Sequence, residues 1–127
     1  MTGASDRVDI IATALANEAY RREIRTGRYA QVVVMTIAPG DDIGEEVHAD
    51  TDQVLVFVDG MGEAELDGRI SEVGANDLVL GPAATRHNVR SVGEQPLRLV
   101  TVSAPPAHVA GTVHMTKADA EADPTEH

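Results

Sequence analysis

The chain contains no cysteine, no tryptophan and only three aromatic residues, Tyr20, Tyr29 and Phe57. The absence of cysteine excludes disulfide bonds, thiolate nucleophiles and zinc sites built on cysteine. So few aromatic rings leave no platform on which nucleic-acid bases could stack. The sequence also lacks a G-x-S-x-G elbow, a phosphate-binding loop and a dinucleotide fingerprint, so it carries no signature of the enzymes that use them.

Basic residues are scarce as well. The chain has 21 acidic and 10 basic side chains, a formal net charge of -11. A surface of this sign repels nucleic acid and anionic membranes, so we expect neither as a partner. No apolar run approaches the roughly 20 residues of a membrane span, and the first residues lack a basic segment followed by an apolar one. We therefore expect a soluble, cytoplasmic protein.

The length of 127 residues predicts one domain. We divide it into an N-terminal segment with a short helix (1–18), a β-rich body (19–104) and a C-terminal tail (105–127) whose last part we expect to be mobile or a frayed helix. Short strands separated by turns fill the body, which is typical of an all-β protein. Asp67-Gly68 lies between two alternating segments and predicts a tight hairpin. Leu78 to Leu80 is an apolar run that Gly81-Pro82 ends, and it predicts a short buried strand.

The stretch from Pro39 to Gly60 carries the clearest chemistry. Glu46 and His48 are two residues apart, so on an extended chain they project from the same face. Gln53 begins the next strand, which continues as the apolar run Val54 to Val58. An antiparallel arrangement brings its amide back to that face. A carboxylate, an imidazole and an amide on one face predict a site inside a β-barrel.

This stretch resembles the first motif of the cupins, small β-barrels that usually hold one metal ion. The family pattern is Gly, five residues, His-x-His, three or four residues, Glu, six residues, Gly. At that spacing this chain has Gly40, Glu46, His48, Gln53 and Gly60. Glu46 therefore stands where the first His is usual, and Gln53 stands where the Glu is usual.

A second segment resembles the second cupin motif, which runs Gly, five residues, Pro-x-Gly, two residues, His, three residues, Asn. Its positions are held here by Asn76, Pro82, Ala84, His87 and Ser91. Only the Pro and the His are literal matches, although Asn is the non-glycine residue that best tolerates a positive φ. The resemblance covers roughly Val32 to Ser103. It implies an all-β cupin barrel, also described as a double-stranded β-helix or jelly roll.

The resemblance also implies that one divalent metal ion is held by Glu46, His48, Gln53 and His87. Two imidazoles and a carboxylate suit non-haem Fe(II), and Mn, Zn and Ni remain open. The neutral amide of Gln53 is a weak donor. If the strand is bulged, Glu45 or Asp50 is the coordinating acid instead. His108 and His114 could reach a barrel mouth, but we expect them on the surface of the tail.

Two functions from different classes fit this site. The first is a metal-dependent enzyme acting on a small polar molecule, by sugar-type isomerase or dioxygenase chemistry, with Glu46 as catalytic proton shuttle when it is not bound to metal. The second is a non-catalytic module that captures a sugar or small acid, with either an intact or a degenerate metal site. The tail from Ala104 to Ala118 resembles that of small bacterial cupins labelled mannose-6-phosphate isomerase-like, which proves no reaction.

The N-terminal helix and the first strand have simpler interpretations. Asp6 or Ser5 can cap a helix that ends near Asn17 and carries an apolar stripe at Val8, Ile11, Ala12 and Leu15. We expect this helix to close one mouth of the barrel. Tyr20 to Arg25 predicts a first strand with a cluster of arginines at 21, 22, 25 and 28. We expect a solvated edge strand, the alternatives being contact with an anionic substrate or a neighbouring subunit.

Two strands, Ala30 to Ala38 and Val54 to Val58, are apolar on both faces. A strand with a solvated outer face should alternate, so something must cover these outer faces. We expect Leu55 and Phe57 in the interior with Gln53, and Val54, Val56 and Val58 on the covered side. A second subunit is the economical cover, and the sequence therefore predicts a homodimer.

Overall fold

The computed structural model describes residues 7–124. In this range ten strands form two antiparallel sheets, with a short helix near each end of the chain. The six-stranded sheet has the order β10-β1-β2-β9-β4-β7 and the four-stranded sheet the order β3-β8-β5-β6. In chain order the elements are α1 (Ile10–Ala16), β1 (Arg21–Thr26), β2 (Gln31–Ile37), β3 (Glu46–Val47), β4 (Asp52–Asp59), β5 (Met61–Leu66), β6 (Arg69–Gly74), β7 (Leu78–Gly81), β8 (Arg86–Ser91), β9 (Leu97–Ala104), β10 (Val113–His114) and α2 (Lys117–Ala122).

The core lies between the two sheets. It is lined by alternate residues of the long strands, among them Val33 and Met35 of β2 and Leu97 and Leu99 of β9. β2 and β9 pair without a break from Gln31↔Ser103 to Ile37↔Leu97, so their inward-facing side chains stay in one layer. The predicted interior positions of Leu55 and Phe57 are confirmed, because both are buried in this core.

The outer face of the six-stranded sheet is covered in part by α1. Ala14 is buried there against Val34 and Val100, with Val56 and Val58 packed around them. The prediction that the helix closes a barrel mouth is therefore wrong. So is the predicted stripe, because Ile10 and Ala14 face the sheet whereas Ile11 and Leu15 are exposed. The valines of β4 were predicted to be covered, and the chain's own helix supplies part of that cover.

The ends of α1 can be compared with the predicted caps. The N-cap is Asp9, whose carboxylate accepts a hydrogen bond from the backbone N–H of Ala12 at 3.1 Å, and Asn17 is the predicted end. Asp6 and Ser5, the predicted capping residues, lie outside the described residues. Neither of the two helices in the described range is long and apolar enough to cross a membrane.

Turn geometry follows the sequence closely. Asp67 and Gly68 connect β5 and β6 in register, with Leu66 opposite Arg69, which confirms the predicted hairpin. Asn76 has a φ of 76°, as expected for a residue in the place of a glycine. Gly60 needs to be glycine, because an added Cβ would contact the carbonyl oxygen of Pro96 and lie 2.9 Å from Cα of Leu97.

The strand β7 differs from its prediction as a buried strand. Leu78 and Leu80 are 62% and 51% exposed, because β7 is an edge of the six-stranded sheet and pairs with β4. Their register partners Val56 and Val54 place both leucines on the outer face. An apolar strip thus remains at this edge of the sheet.

The C-terminal segment packs against the barrel. β10 pairs with the start of β1, Arg21 opposite His114 and Arg22 opposite Val113. The helix α2 begins with a capping box made by Thr116 and Asp119 and buries Ala120 in the main core cluster. Reciprocal capping and a buried face hold this short helix in place.

Candidate metal centre

Three of the four predicted ligands are brought together by two strands of the smaller sheet. β3 pairs with β8 so that Glu46 lies opposite His87. His48 follows the end of β3, two residues beyond Glu46, and projects from the same face. The pairing of β3 with β8 therefore places His87 beside Glu46, although the two are far apart in sequence. The two-residue period of an extended chain adds His48 to the same face.

The cluster is tight enough for a single ion. Nε2 of His48 lies 2.8 Å from Oε2 of Glu46, and Nε2 of His87 lies 3.9 Å from the same oxygen. One ligand atom from each of Glu46, His48 and His87 lies within 4.8 Å of the others. These separations match donors arranged around one metal ion with bonds of about 2 Å.

The ring of His87 is oriented for ligation. Its Nδ1 lies 3.3 Å from the carbonyl oxygen of Thr85, and because a carbonyl can only accept, Nδ1 carries the proton. Nε2 then has a lone pair, and it is buried without a hydrogen-bond partner among the described residues. A buried nitrogen without a partner is costly, and a metal ion at this point would satisfy it.

The side-chain amide of Gln53, the fourth predicted ligand, is already hydrogen-bonded through its nitrogen. Its side chain is buried and its Nε2 donates a hydrogen bond to Oγ of Ser103 at 3.2 Å. This bond uses the N–H₂ end, so the amide oxygen is the end that could reach a metal. Gln53 and Glu46 line the same small cavity beside the cluster.

The alternative acids do not join the cluster. The carboxylate of Glu45 accepts a hydrogen bond from Arg86 at 3.0 Å and is largely exposed. Asp50 is an exposed loop residue. Of the acids weighed for this position, Glu46 is the one whose oxygen meets both imidazoles.

The electrostatics couple Glu46 to His48. Burial raises the pKa of Glu46, but the hydrogen bond from His48 and the charges of His48 and Arg21 outweigh it, so the net pKa is lowered. The hydrogen bond to Glu46 raises the pKa of His48 against the opposing effect of burial. In the absence of metal these two groups therefore favour the ion pair.

A cavity of about 420 Å³ opens beside the cluster, lined by Glu46 and His48 on one side and by residues of the tail on another. The tail contributes His108, Lys117 and Glu121. This volume is within the range of small-molecule sites. His108 is half-buried at the cavity, and His114 is buried, so the expectation that both are surface residues is wrong.

Tyr20 and Arg21 also line this cavity. The expected solvated edge strand is wrong for Arg21, which is buried because β10 pairs with the start of β1. Arg25 and Arg28 are exposed as expected. Tyr20 was not predicted as a site residue, and no local pattern marks it. Its position depends on β1 meeting a tail that lies more than 90 residues further along the chain.

The family model for the cupin domain matches residues 33–103. The chain belongs to the cupin family. This cupin is 38% identical to the uncharacterized protein YrkC of Bacillus subtilis over 122 residues, which are 91% of this chain and 65% of YrkC. It therefore spans slightly less than two thirds of that relative.

Solved structures agree with this assignment. The cupin superposes on the crystal structure of BH2720 from Bacillus halodurans with a TM-score of 0.91 and 41% identity, covering 95% of this chain and 97% of the other. A predicted oxalate decarboxylase from Thermotoga maritima matches with a TM-score of 0.59 and 18% identity, over 62% of this chain and 69% of the other. At that identity the likeness shows the fold alone.

The two motifs of this cupin are joined by a backbone hydrogen bond. The N–H of Ala84 donates to the carbonyl oxygen of His48 at 2.7 Å. Ala84 has a φ of 67°, a conformation that costs a non-glycine residue about 1 kcal/mol or more. The turn before His87 is thus held against the residue after β3, which keeps the two imidazoles close, with ring centroids 5.6 Å apart.

Proposed function

We propose that this cupin binds one divalent metal ion through Glu46, His48 and His87 and acts as an enzyme on a small polar molecule. One observation carries the proposal. The buried Nε2 of His87 has no hydrogen-bond partner among the described residues and faces the carboxylate that also contacts His48. A structural histidine would be expected to use both ring nitrogens.

The donor set limits the ion and its chemistry. Two imidazoles and one carboxylate suit Fe, Mn, Zn or Ni and leave positions free for a substrate. When bound, such an ion supplies Lewis-acid polarisation of a substrate oxygen, or oxygen chemistry if it is iron. The amide oxygen of Gln53 is the candidate for a fourth, weaker ligand.

The chain's own groups define what else the site can do. His87 is fixed by its bond to Thr85, and His48 is oriented by Glu46. The carboxylate of Glu46 is half-buried and borders the cavity, so it can accept a substrate proton when it is not a ligand. We propose sugar-type isomerase or dioxygenase chemistry as the two reaction classes to test first.

A non-catalytic binding module is the second candidate. It is favoured by the bonds that the ligand side chains already make, since Glu46 binds His48 and Gln53 binds Ser103. These hydrogen bonds give Glu46 and Gln53 polar partners when no metal ion is bound. Such a module would capture a sugar or small acid in the same cavity.

Elemental analysis of untagged protein, purified without added metal, tests the metal site. We expect about one Fe, Mn, Zn or Ni per chain, lost in the His48→Ala and His87→Ala variants and reduced in Glu46→Ala. Glu45→Ala is the matched control, because its carboxylate pairs with Arg86 outside the cluster and it should retain the metal. Near-zero occupancy that persists after soaking with each ion would reject the metalloenzyme.

We also propose that the protein forms a homodimer through the outer edge of the six-stranded sheet. Leu78 and Leu80 are exposed on the outer face of the edge strand β7. Edge strands with apolar side chains tend to be covered by another chain. Light scattering on wild-type protein and on Leu78→Glu tests this. A monomeric wild type, or a dimer unaffected by Leu78→Glu, would contradict the proposed interface.

A further inference from the structure

Two adjacent residues at the start of β1, Tyr20 and Arg21, present hydrogen-bond donors to the cavity beside the metal cluster. The side chain of Tyr20 is 6% exposed and its ring belongs to the core cluster that includes Ala120. Its hydroxyl is not among the buried side-chain atoms that lack a partner in the described range, so it is not sealed inside the core. Tyr20 lines the cavity, and a ligand there can accept a hydrogen bond from the hydroxyl.

The guanidinium of Arg21 is held in position by the tail. Oδ2 of Asp123 lies 2.8 Å from Nε2 of His114, and because a carboxylate accepts, that ring nitrogen carries the proton. Nδ1 of His114 is then the acceptor for Nη1 of Arg21 at 3.4 Å. Arg21 also stacks on Tyr20, with its Cζ 5.4 Å from the ring centroid. These contacts orient a buried cation beside the cavity.

Both groups stay protonated at neutral pH. Burial raises the pKa of Tyr20 to about 12, with a smaller opposing effect from the charge of Arg21, and a guanidinium is not deprotonated in proteins. They therefore act as donors over the whole physiological range. A donor pair with one positive charge is suited to an oxygen group that is negatively charged.

Acidic side chains also line this cavity and oppose the positive charge of Arg21. Glu46 binds His48 and Glu45 binds Arg86, so both of these carboxylates have cationic or donor partners of their own. Glu121 lies on the tail side of the cavity. Lys117 adds a further cation to the lining and is anchored through hydrogen bonds to Asp41 and Asp42.

We infer that the substrate of this site carries a carboxylate or phosphate group, and that the Tyr20 hydroxyl and the Arg21 guanidinium bind it. The remainder of the substrate then faces Glu46, His48 and His87. This inference rests on the proposed function, because it names the substrate class of the same cavity. It assigns Tyr20 and Arg21 a role in binding and does not assign them a chemical step.

Ligand titrations on metal-free protein test the inference separately from the metal site. The probes are malonate, inorganic phosphate and neutral methyl glucoside, each followed by NMR shift changes in full-length protein dialysed free of metal and chelator. We expect at least one anion to bind more tightly than the glucoside. A preference for malonate identifies a carboxylate substrate, and a preference for phosphate identifies a phosphate ester.

The decisive variant is Tyr20→Phe, which removes one oxygen and keeps the ring. We expect it to weaken binding of the preferred anion by ~10-fold, the loss of a hydrogen bond to a charged group. Tyr29→Phe is the matched control, because Tyr29 is 73% exposed and also stands beside an arginine, Arg28. That variant should bind like wild type.

The inference is overturned if the glucoside binds as tightly as both anions, or if Tyr20→Phe and Tyr29→Phe bind the anion equally well. Thermal unfolding of each variant verifies that its fold is retained. If purified protein holds no metal but Tyr20→Phe still weakens anion binding, the metalloenzyme proposal fails and the anion site stands. If metal is bound but no anion preference is found, the anion site is rejected and the metal-site proposal stands.

Discussion

Glu46 and His87 face each other across the β3–β8 pair, with Oε2 of Glu46 3.9 Å from Nε2 of His87. The same oxygen lies 2.8 Å from Nε2 of His48. One carboxylate thus links an imidazole on its own strand to an imidazole on the neighbouring strand. Because β3 is two residues long, the geometry of the cluster depends on a pairing that loop contacts must support, such as the bond from Ala84 to His48.

The Glu46–His48 pair should make the stability of metal-free protein depend on pH. Its lowered Glu46 pKa gives stability that is present above the ordinary value of 4.5 and lost as the pH falls through the folded pKa. The raised His48 pKa gives stability that is present below the ordinary value of 6.5 and lost as the pH rises through the folded pKa. Both contributions are available together between about pH 5 and pH 6.

We therefore expect Glu46→Gln to lower the free energy of unfolding by ~1 kcal/mol in that window, and by less at pH 8 and at pH 3.5. Urea unfolding across the pH range, in chelator-treated protein, measures this difference. Glu45→Gln is the control, since Glu45 is more exposed and pairs with Arg86. A difference for Glu46→Gln that is flat from pH 3.5 to pH 8 would contradict the proposed ion pair.

Of the two turn glycines Gly60 and Gly68, Gly60 should lose more stability on substitution by alanine. Both Gly60 and Gly68 have positive φ, 91° and 84°, but an added Cβ meets the backbone of Pro96 and Leu97 at Gly60 and nothing within 4 Å at Gly68. We expect Gly60→Ala to cost ~3 kcal/mol in unfolding free energy and Gly68→Ala ~1 kcal/mol. Equal losses in denaturant unfolding would show that the close approach has no energetic effect.

The helix α1 should be sensitive at Ala14 and tolerant at Ala16. Ala14 is buried against Val34 and Val100, whereas Ala16 is exposed on the same helix. Ala14→Leu adds volume to a packed contact and should lower the free energy of unfolding by ~2 kcal/mol. Ala16→Leu should change it by less than ~0.5 kcal/mol. Similar thermal unfolding of the two variants would contradict the observed packing of α1.

The tail should contribute measurably to stability through Asp123. Its carboxylate binds the buried His114 at 2.8 Å, and removing a charged acceptor from a buried donor costs ~2 kcal/mol. We expect Asp123→Ala to lower the free energy of unfolding by about that amount, and Asp50→Ala, a change at an exposed loop residue, to have almost no effect. If the two variants unfold alike, the tail is not held by this contact.

Local patterns predicted the parts of this cupin that depend on neighbours in sequence. A period of two placed Leu55 and Phe57 in the core, and Asp67-Gly68 predicted its hairpin. Motif spacing selected Glu46, His48 and His87, which the structure brings together. Their role as metal ligands, together with that of Gln53, stays a prediction that the metal analysis will test.

Other features could not be read from local patterns. The stripe predicted for α1 failed because the exposed Ile11 and Leu15 are as apolar as the residues that face the sheet, and a seven-residue helix is too short for its pattern to choose between them. Leu78 and Leu80 were predicted to be buried because they are apolar, but their exposure follows from the position of β7 at the edge of the sheet.

By itself, the sequence determined an all-β body with its Asp67-Gly68 hairpin, because these follow from hydrophobic periodicity and turn chemistry. Its resemblance to the two cupin motifs implied the cupin fold and the residues of the candidate metal cluster. Only the tertiary structure decided that α1 covers the outer face and that Tyr20 and Arg21 line the cavity. Arg21 and His114 are 93 positions apart. No local signal encodes such a contact, because it depends on how the tail packs once the two sheets have formed.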